Sequence, residues 1–161
     1  MTAQPTSKQQ SGRCPHCGRR ERSSAAHGLC FAAIGVAFKN WPHGHRFTPK
    51  DDEHLRAWLC WEVDHTEGVE VDLTSIDLPP EQAESVVIQT VKAARSLFDH
   101  KQIVRMFRTD SGIKIMAEKS MNYETLGKRE FDALADKIYA KIHDETGIDA
   151  VRAVKEDRKA A

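Results

Sequence analysis

Apolar residues recur at three- and four-residue steps along Ala26, Leu29, Cys30, Ala33, Ile34, Ala37 and Phe38, which marks one face of a helix. Ser23 or Ser24 is a suitable cap for it, and Trp41-Pro42 ends it, because proline disfavours helix in the residue before it. Gly28 and Gly35 lower its propensity and suggest a close approach by another backbone. After the loop Pro42-His-Gly-His-Arg-Phe47, Thr48 as cap, Pro49 at the first helical position and Asp51 three residues past the cap predict a second helix. Its stripe is Leu55, Trp58 and Leu59, with Val63 at its edge.

Val69, Val71 and Leu73 then alternate with Glu70, Asp72 and Thr74, the period of a half-buried strand. Asp77-Leu-Pro-Pro-Glu81 opens a third helix with Ala83, Val86, Val87, Val91, Ala94 and Leu97 on one side. Two strand-like runs, 102–109 and 112–118, flank the polar link Asp110-Ser111-Gly112, which reads as a hairpin turn. A fourth helix runs from about Lys128 to His143, with Phe131, Leu134, Ala135, Ile138 and Ile142 in phase, and Gly147 stops it. The order α-α-β-α-β-β-α predicts an α+β fold: a small, mostly antiparallel three-stranded sheet with about four helices.

The chain of 161 residues is 40% hydrophobic and 30% charged, which suits one folded domain with a real core. Residues 1–22 read as a flexible basic tail, 23–147 as the α+β domain, and 148–161 as a charged tail or fraying helix. No apolar run approaches the roughly 18 to 20 residues of a membrane span, and the polar start lacks a signal-peptide pattern, so the expected setting is the cytosol without a membrane partner.

Zero net charge hides an uneven layout. Residues 1–50 carry eight Lys or Arg against Glu21, a balance of +7, whereas 51–90 carry eleven acids against Arg56, a balance of −10. The basic front end fits attraction to nucleic acid, since phosphate neutralisation releases counterions; the alternative is ordinary solvated charge, with the acidic middle folded against it. Arg19, Arg20, Arg22, Lys39 and Arg46 are the candidate phosphate contacts. Trp61 is off the phase of its helix, and a partly exposed Trp can stack on a base for roughly 1–3 kcal/mol. Core packing or a homodimer seam would also account for the aromatics around the first two helices.

Cys14-Pro-His-Cys17-Gly18 places two thiols at a tight turn, a spacing that suits zinc. His27 and Cys30 share a helix face and would complete a Cys₃His set of Cys14, Cys17, His27 and Cys30. Unligated thiols in a tail are the alternative, and a redox pair fits least, for want of a thioredoxin-like strand–helix context. Cys30 and Cys60 also fit the core as small apolar residues. His43, His45 and His54 with Asp51, Asp52 and Glu53 can be read as a metal-dependent nuclease site, but acids in a first helical turn are favoured by the dipole alone.

Glu21-Arg-Ser-Ser-Ala-Ala-His27, then Phe31 through Asn40-Trp41-Pro42, and Glu53-His-Leu-Arg-Ala-Trp-Leu59 resemble a family of phage and prophage proteins with an Arg-Ser-x-x-x-His helix and a Glu-His-Leu-Arg-x-Trp helix. With Ala117-Glu-Lys-Ser120 and the Phe131 helix, the resemblance covers roughly residues 20–145. More remotely, the two Trp-bearing helices are similar to the lambdoid NinB (Orf) recombination accessory proteins, although Ala26-His27 stand where those have Gln-Asn. The resemblance implies a DNA-associated accessory protein that binds single-stranded or junction DNA without catalysis. It says nothing of the Cys-x-x-Cys tail. A module contacting a host or phage protein through the acidic segment is the rival expectation.

Overall fold

The computed structural model describes residues 24–74, 77, 79–121 and 126–160. Eight elements follow one another: α1 (Ser24–Lys39), α2 (Asp52–Glu62), β1 (Thr66–Asp72), α3 (Pro80–Ser96), β2 (Val104–Arg108), β3 (Gly112–Glu118), α4 (Lys128–Thr146) and α5 (Ala150–Ala160). The expected α+β architecture is present: the sheet is three-stranded and antiparallel, in the order β1-β3-β2.

The expected cap of α2 needs correction. Asp51, not Thr48, caps α2: its carboxylate accepts the His54 N–H at 2.7 Å, and an ionised acceptor is the stronger cap for unpaired N–H groups next to a positive dipole end. Of the tail and the helix expected for the charged segment after Ile148, the helix is present as α5. Ala150 and Val154, one turn apart, are buried, and α5 packs on α1 and α4. Gly147 separates α4 from α5 in the left-handed conformation, φ 70°, and its N–H returns to the His143 carbonyl at 2.7 Å.

Side chains pack in two clusters. The larger lies among α1, α2, α4 and α5 and holds Cys30, Ile34, Leu55, Leu59, Phe131, Ile138 and Ile142. The smaller lies between α3 and one face of the sheet, where Ile115, Ala117 and Phe98 meet Val69, Val91, Ala94, Val104 and Ile113. Among the described residues, one charged group is buried outside these clusters: Glu118 is 3% exposed.

Among the described residues, the two glycines of α1 mark no backbone contact, because a Cβ added at either would meet nothing within 4 Å. They only leave the helix more entropy to lose on folding. Gly35→Ala should therefore raise stability by about 0.5–1 kcal/mol, seen as a higher urea midpoint at unchanged slope.

Candidate nucleic-acid interface

Side chains of a strand alternate between the faces of its sheet. Ile113, Ile115 and Ala117 of β3 point to α3, so Lys114 and Met116 point the other way. The register places Phe107 opposite Lys114 and Arg105 opposite Met116 on β2, with Glu70 and Gly68 as their counterparts on β1. Among the described residues, no helix covers this part of the second face: Arg105, Lys114 and Glu70 are exposed, and Phe107 is 43% exposed. Met116 lies across Gly68, where a Cβ would come within 2.9 Å of its Cγ.

Trp61 reaches this face from the last turn of α2. Its indole N–H donates to the Ile103 carbonyl at 3.4 Å, the Arg105 guanidinium carbon lies 4.6 Å from its ring centroid, and the Phe107 ring is 6.4 Å away at 43°. This is a short row of aromatic and cationic planes at the start of the free edge of the sheet. Among the described residues, Arg105, Arg108 and Lys114 take part in no ion pair. Glu70 and Asp72 make the far strand acidic, and hydrogen bonds from the Thr74 hydroxyl and N–H hold the Asp72 carboxyl below its ordinary range. The positive side chains of this face therefore lie toward β2 and the negative ones toward β1.

Of the residues singled out from sequence, Trp61 stands on this face. Lys39 is exposed in the last turn of α1, where a cation complements the helix dipole. Arg46 is exposed but hydrogen-bonded to Glu62 at 3.0 Å. Arg19, Arg20 and Arg22 lie outside the described residues. Arg105, Phe107 and Lys114 read in the sequence as strand residues only, and the structure sets them on one face with Trp61. Their one signal was the run Val104-Arg-Met-Phe-Arg108, which sets an aromatic among cations where plain alternation would predict one apolar and one polar face.

The histidine loop has a structural role. Trp41 Nε1–H donates to the Phe47 carbonyl at 2.8 Å, and Phe47 stacks on Trp58 at 5.0 Å. His45 Nε2 meets Glu145 Oε2 at 2.9 Å, and Lys141 bridges Glu145 at 2.6 Å and Glu62 at 3.2 Å. The hydrogen bond from Lys141, followed by that from His45, holds the Glu145 carboxyl below its ordinary range. His54 Nδ1 accepts the Lys50 N–H, Asp52 accepts the Glu53 N–H, and Glu53 pairs with Arg56. Asp51, Asp52, Glu53, His45 and His54 of the nuclease reading therefore cap and pin α2 and the loop. Among the described residues, no group of three or more His, Cys, Asp or Glu is placed to hold a metal.

Of the proposed zinc ligands, Cys14 and Cys17 lie outside the described residues. Cys30 is fully buried beside Tyr139, and burial pushes its thiol up to about 11. His27 packs its ring against Phe31 and Phe131 at 4.7 and 5.4 Å, and its Nε2 is buried without a hydrogen bond. Cys60 is likewise buried, its thiol pushed up to about 12.

His65 joins α2 to β1 with its Nε2 3.4 Å from the Ser120 carbonyl, and burial lowers its pKa from the ordinary 6.5. A neutral imidazole preferred in the folded state gives stability that is complete above about pH 6.5 and is lost as pH falls through the lowered value. Stability followed by urea denaturation should thus decline from about pH 6.5 downward, and His65→Gln should flatten the upper part of that decline.

Among the described residues, no helix is long and apolar enough to cross a membrane. Comparison with protein families, with curated proteins and with solved structures finds no match to this chain.

Proposed function

We propose that this protein binds single-stranded DNA without cutting it, as an accessory factor in the DNA metabolism of a phage or prophage. The observation that carries the reading is the group Trp61, Arg105, Phe107 and Lys114 on the uncovered face of the sheet. Ring faces stack on bases of any identity, but only where those bases are unpaired, and the cations beside them neutralise the phosphates between. Arg19, Arg20 and Arg22 add charge that is independent of sequence. The absence of catalysis fits the arrangement around α2, where each acid of the 51–53 run has a capping or pairing partner. The phage setting rests on the resemblance over roughly residues 20–145.

The acidic segment supports the rival protein-binding reading less well. Glu53, Glu62 and Glu67 are engaged by Arg56, by Arg46 and Lys141, and by Lys101.

Fluorescence anisotropy with a labelled mixed-sequence single strand, and with the duplex of the same sequence, tests the proposal. The expected result is binding that prefers the single strand, weakens with salt and quenches part of the tryptophan emission. Absence of binding at low salt, or equal affinity for the duplex without quenching, would overturn it.

A further inference from the structure

The free edge of β2 carries the least protected apolar surface on the sheet. Met106 is 52% exposed and stands at the rim of a groove of about 630 Å³ between α3 and the β2–β3 hairpin, with Val87, Val91 and Ile113 in its walls. Its neighbour Phe107 is 43% exposed.

The hydrogen bonding decides which backbone groups that edge offers. Leu73 N–H bonds the Ser111 carbonyl toward β1, and Thr109 N–H bonds the Gly112 carbonyl toward β2. Antiparallel pairs alternate between bonded and non-bonded, so Phe107 and Arg105 bond toward β3. Val104, Met106 and Arg108 therefore present their N–H and C=O groups outward.

We propose that a second copy of this chain pairs here, β2 against β2, antiparallel about a two-fold axis at Met106. Full overlap of the outward groups admits one register, with Met106 facing Met106 of the second copy and Val104 facing its Arg108. Each facing pair exchanges two hydrogen bonds. In the same register Arg105 faces Phe107 of the second copy, so each cation directly opposes an aromatic or apolar residue and no arginine directly opposes another. Charges on an edge strand ordinarily discourage pairing. Here the Arg105 guanidinium is drawn aside over Trp61, and that deterrent is weakened. The second Met106 closes the open side of the groove. A two-fold contact uses each edge once, so assembly stops at the dimer instead of growing into a fibre. The result is one six-stranded sheet whose uncovered face carries both sets of Trp61, Arg105 and Phe107.

Sedimentation velocity over a range of concentrations, with and without Met106→Glu, tests the pairing on the full chain. The wild type should sediment as a dimer and the variant as a monomer with the same far-ultraviolet circular dichroism. Met106→Cys, in a background where Cys14 and Cys17 are Ser, should cross-link to a dimer on oxidation, because facing bonded residues stand about 5.5 Å apart at Cα, within disulfide reach. A wild type that stays monomeric at the highest concentration would overturn the proposal. So would a dimer that survives Met106→Glu and fails to cross-link. DNA binding is read separately, so a monomer that binds single strands refutes the pairing and leaves the functional reading standing.

Discussion

The triple variant Arg105→Gln, Phe107→Ala, Lys114→Gln should lose about 2–4 kcal/mol of affinity for single-stranded DNA, roughly 30- to 700-fold, while melting as the wild type does. The stacking ring contributes about 1–3 kcal/mol of this, and the two cations contribute the remainder through the phosphates. All three side chains are exposed, so their removal opens no cavity. The parts can be separated. Phe107→Ala alone should lower affinity without changing the salt dependence, whereas the two Gln substitutions should reduce the slope of log affinity against log salt by about 1.4, at about 0.7 per single-strand phosphate. Anisotropy titrations at several salt concentrations check both. A triple variant that binds as tightly as the wild type would remove this face of the sheet from consideration.

The largest effect on stability is expected at Glu118. Its carboxylate is buried at the end of β3 and accepts the Gln102 N–H at 2.8 Å and the Ile103 N–H at 3.1 Å. Lys101 completes the arrangement by donating to the Glu118 carbonyl at 3.0 Å and pairing with Glu67 at 2.6 Å. These bonds pin the turn between α3 and β2, and so fix where β2 begins. Glu118→Ala leaves two N–H groups without their acceptor and should cost about 3 kcal/mol, lowering the melting temperature by roughly 6–12 °C for a chain of this size. Glu118→Gln keeps one neutral acceptor and should lie between the two. Calorimetry of the three proteins gives the comparison, and equal melting temperatures would show that water replaces the carboxylate.

Glu118 also shows where sequence reading stops. In the sequence it is the last residue of an alternating strand, on the side that carries the polar Lys114. Its burial follows from the turn at Gln102–Ile103 folding over it, a contact between residues 15 and 16 positions apart that no local pattern announces. Asp51 is the opposite case. The capping signal is present in Thr48-Pro-Lys-Asp51, but a hydroxyl and a carboxylate three residues apart both satisfy the rule, and only the direction of the chain entering α2 selects Asp51.

Five of the helix and strand signals lie within the chain itself: the three- and four-residue apolar steps of α1 and α4, the two-residue alternation of β1 and β3, and the left-handed glycine after α4. Those periods arise from backbone geometry and hold wherever the element packs. The sequence by itself therefore determined the order of elements and the α+β class. It also picked out Trp61 as a residue out of phase with its helix. Which strand lies in the middle, which face of the sheet α3 covers, and which cations share a face with Trp61 depended on the tertiary structure. Arg105 and Lys114 come from strands that meet only when the hairpin closes, and Trp61 lies more than 40 positions before either. The physical reason is range: periodicity records the side of an element that is buried, whereas a binding face is made from sides left exposed, and only packing brings those together.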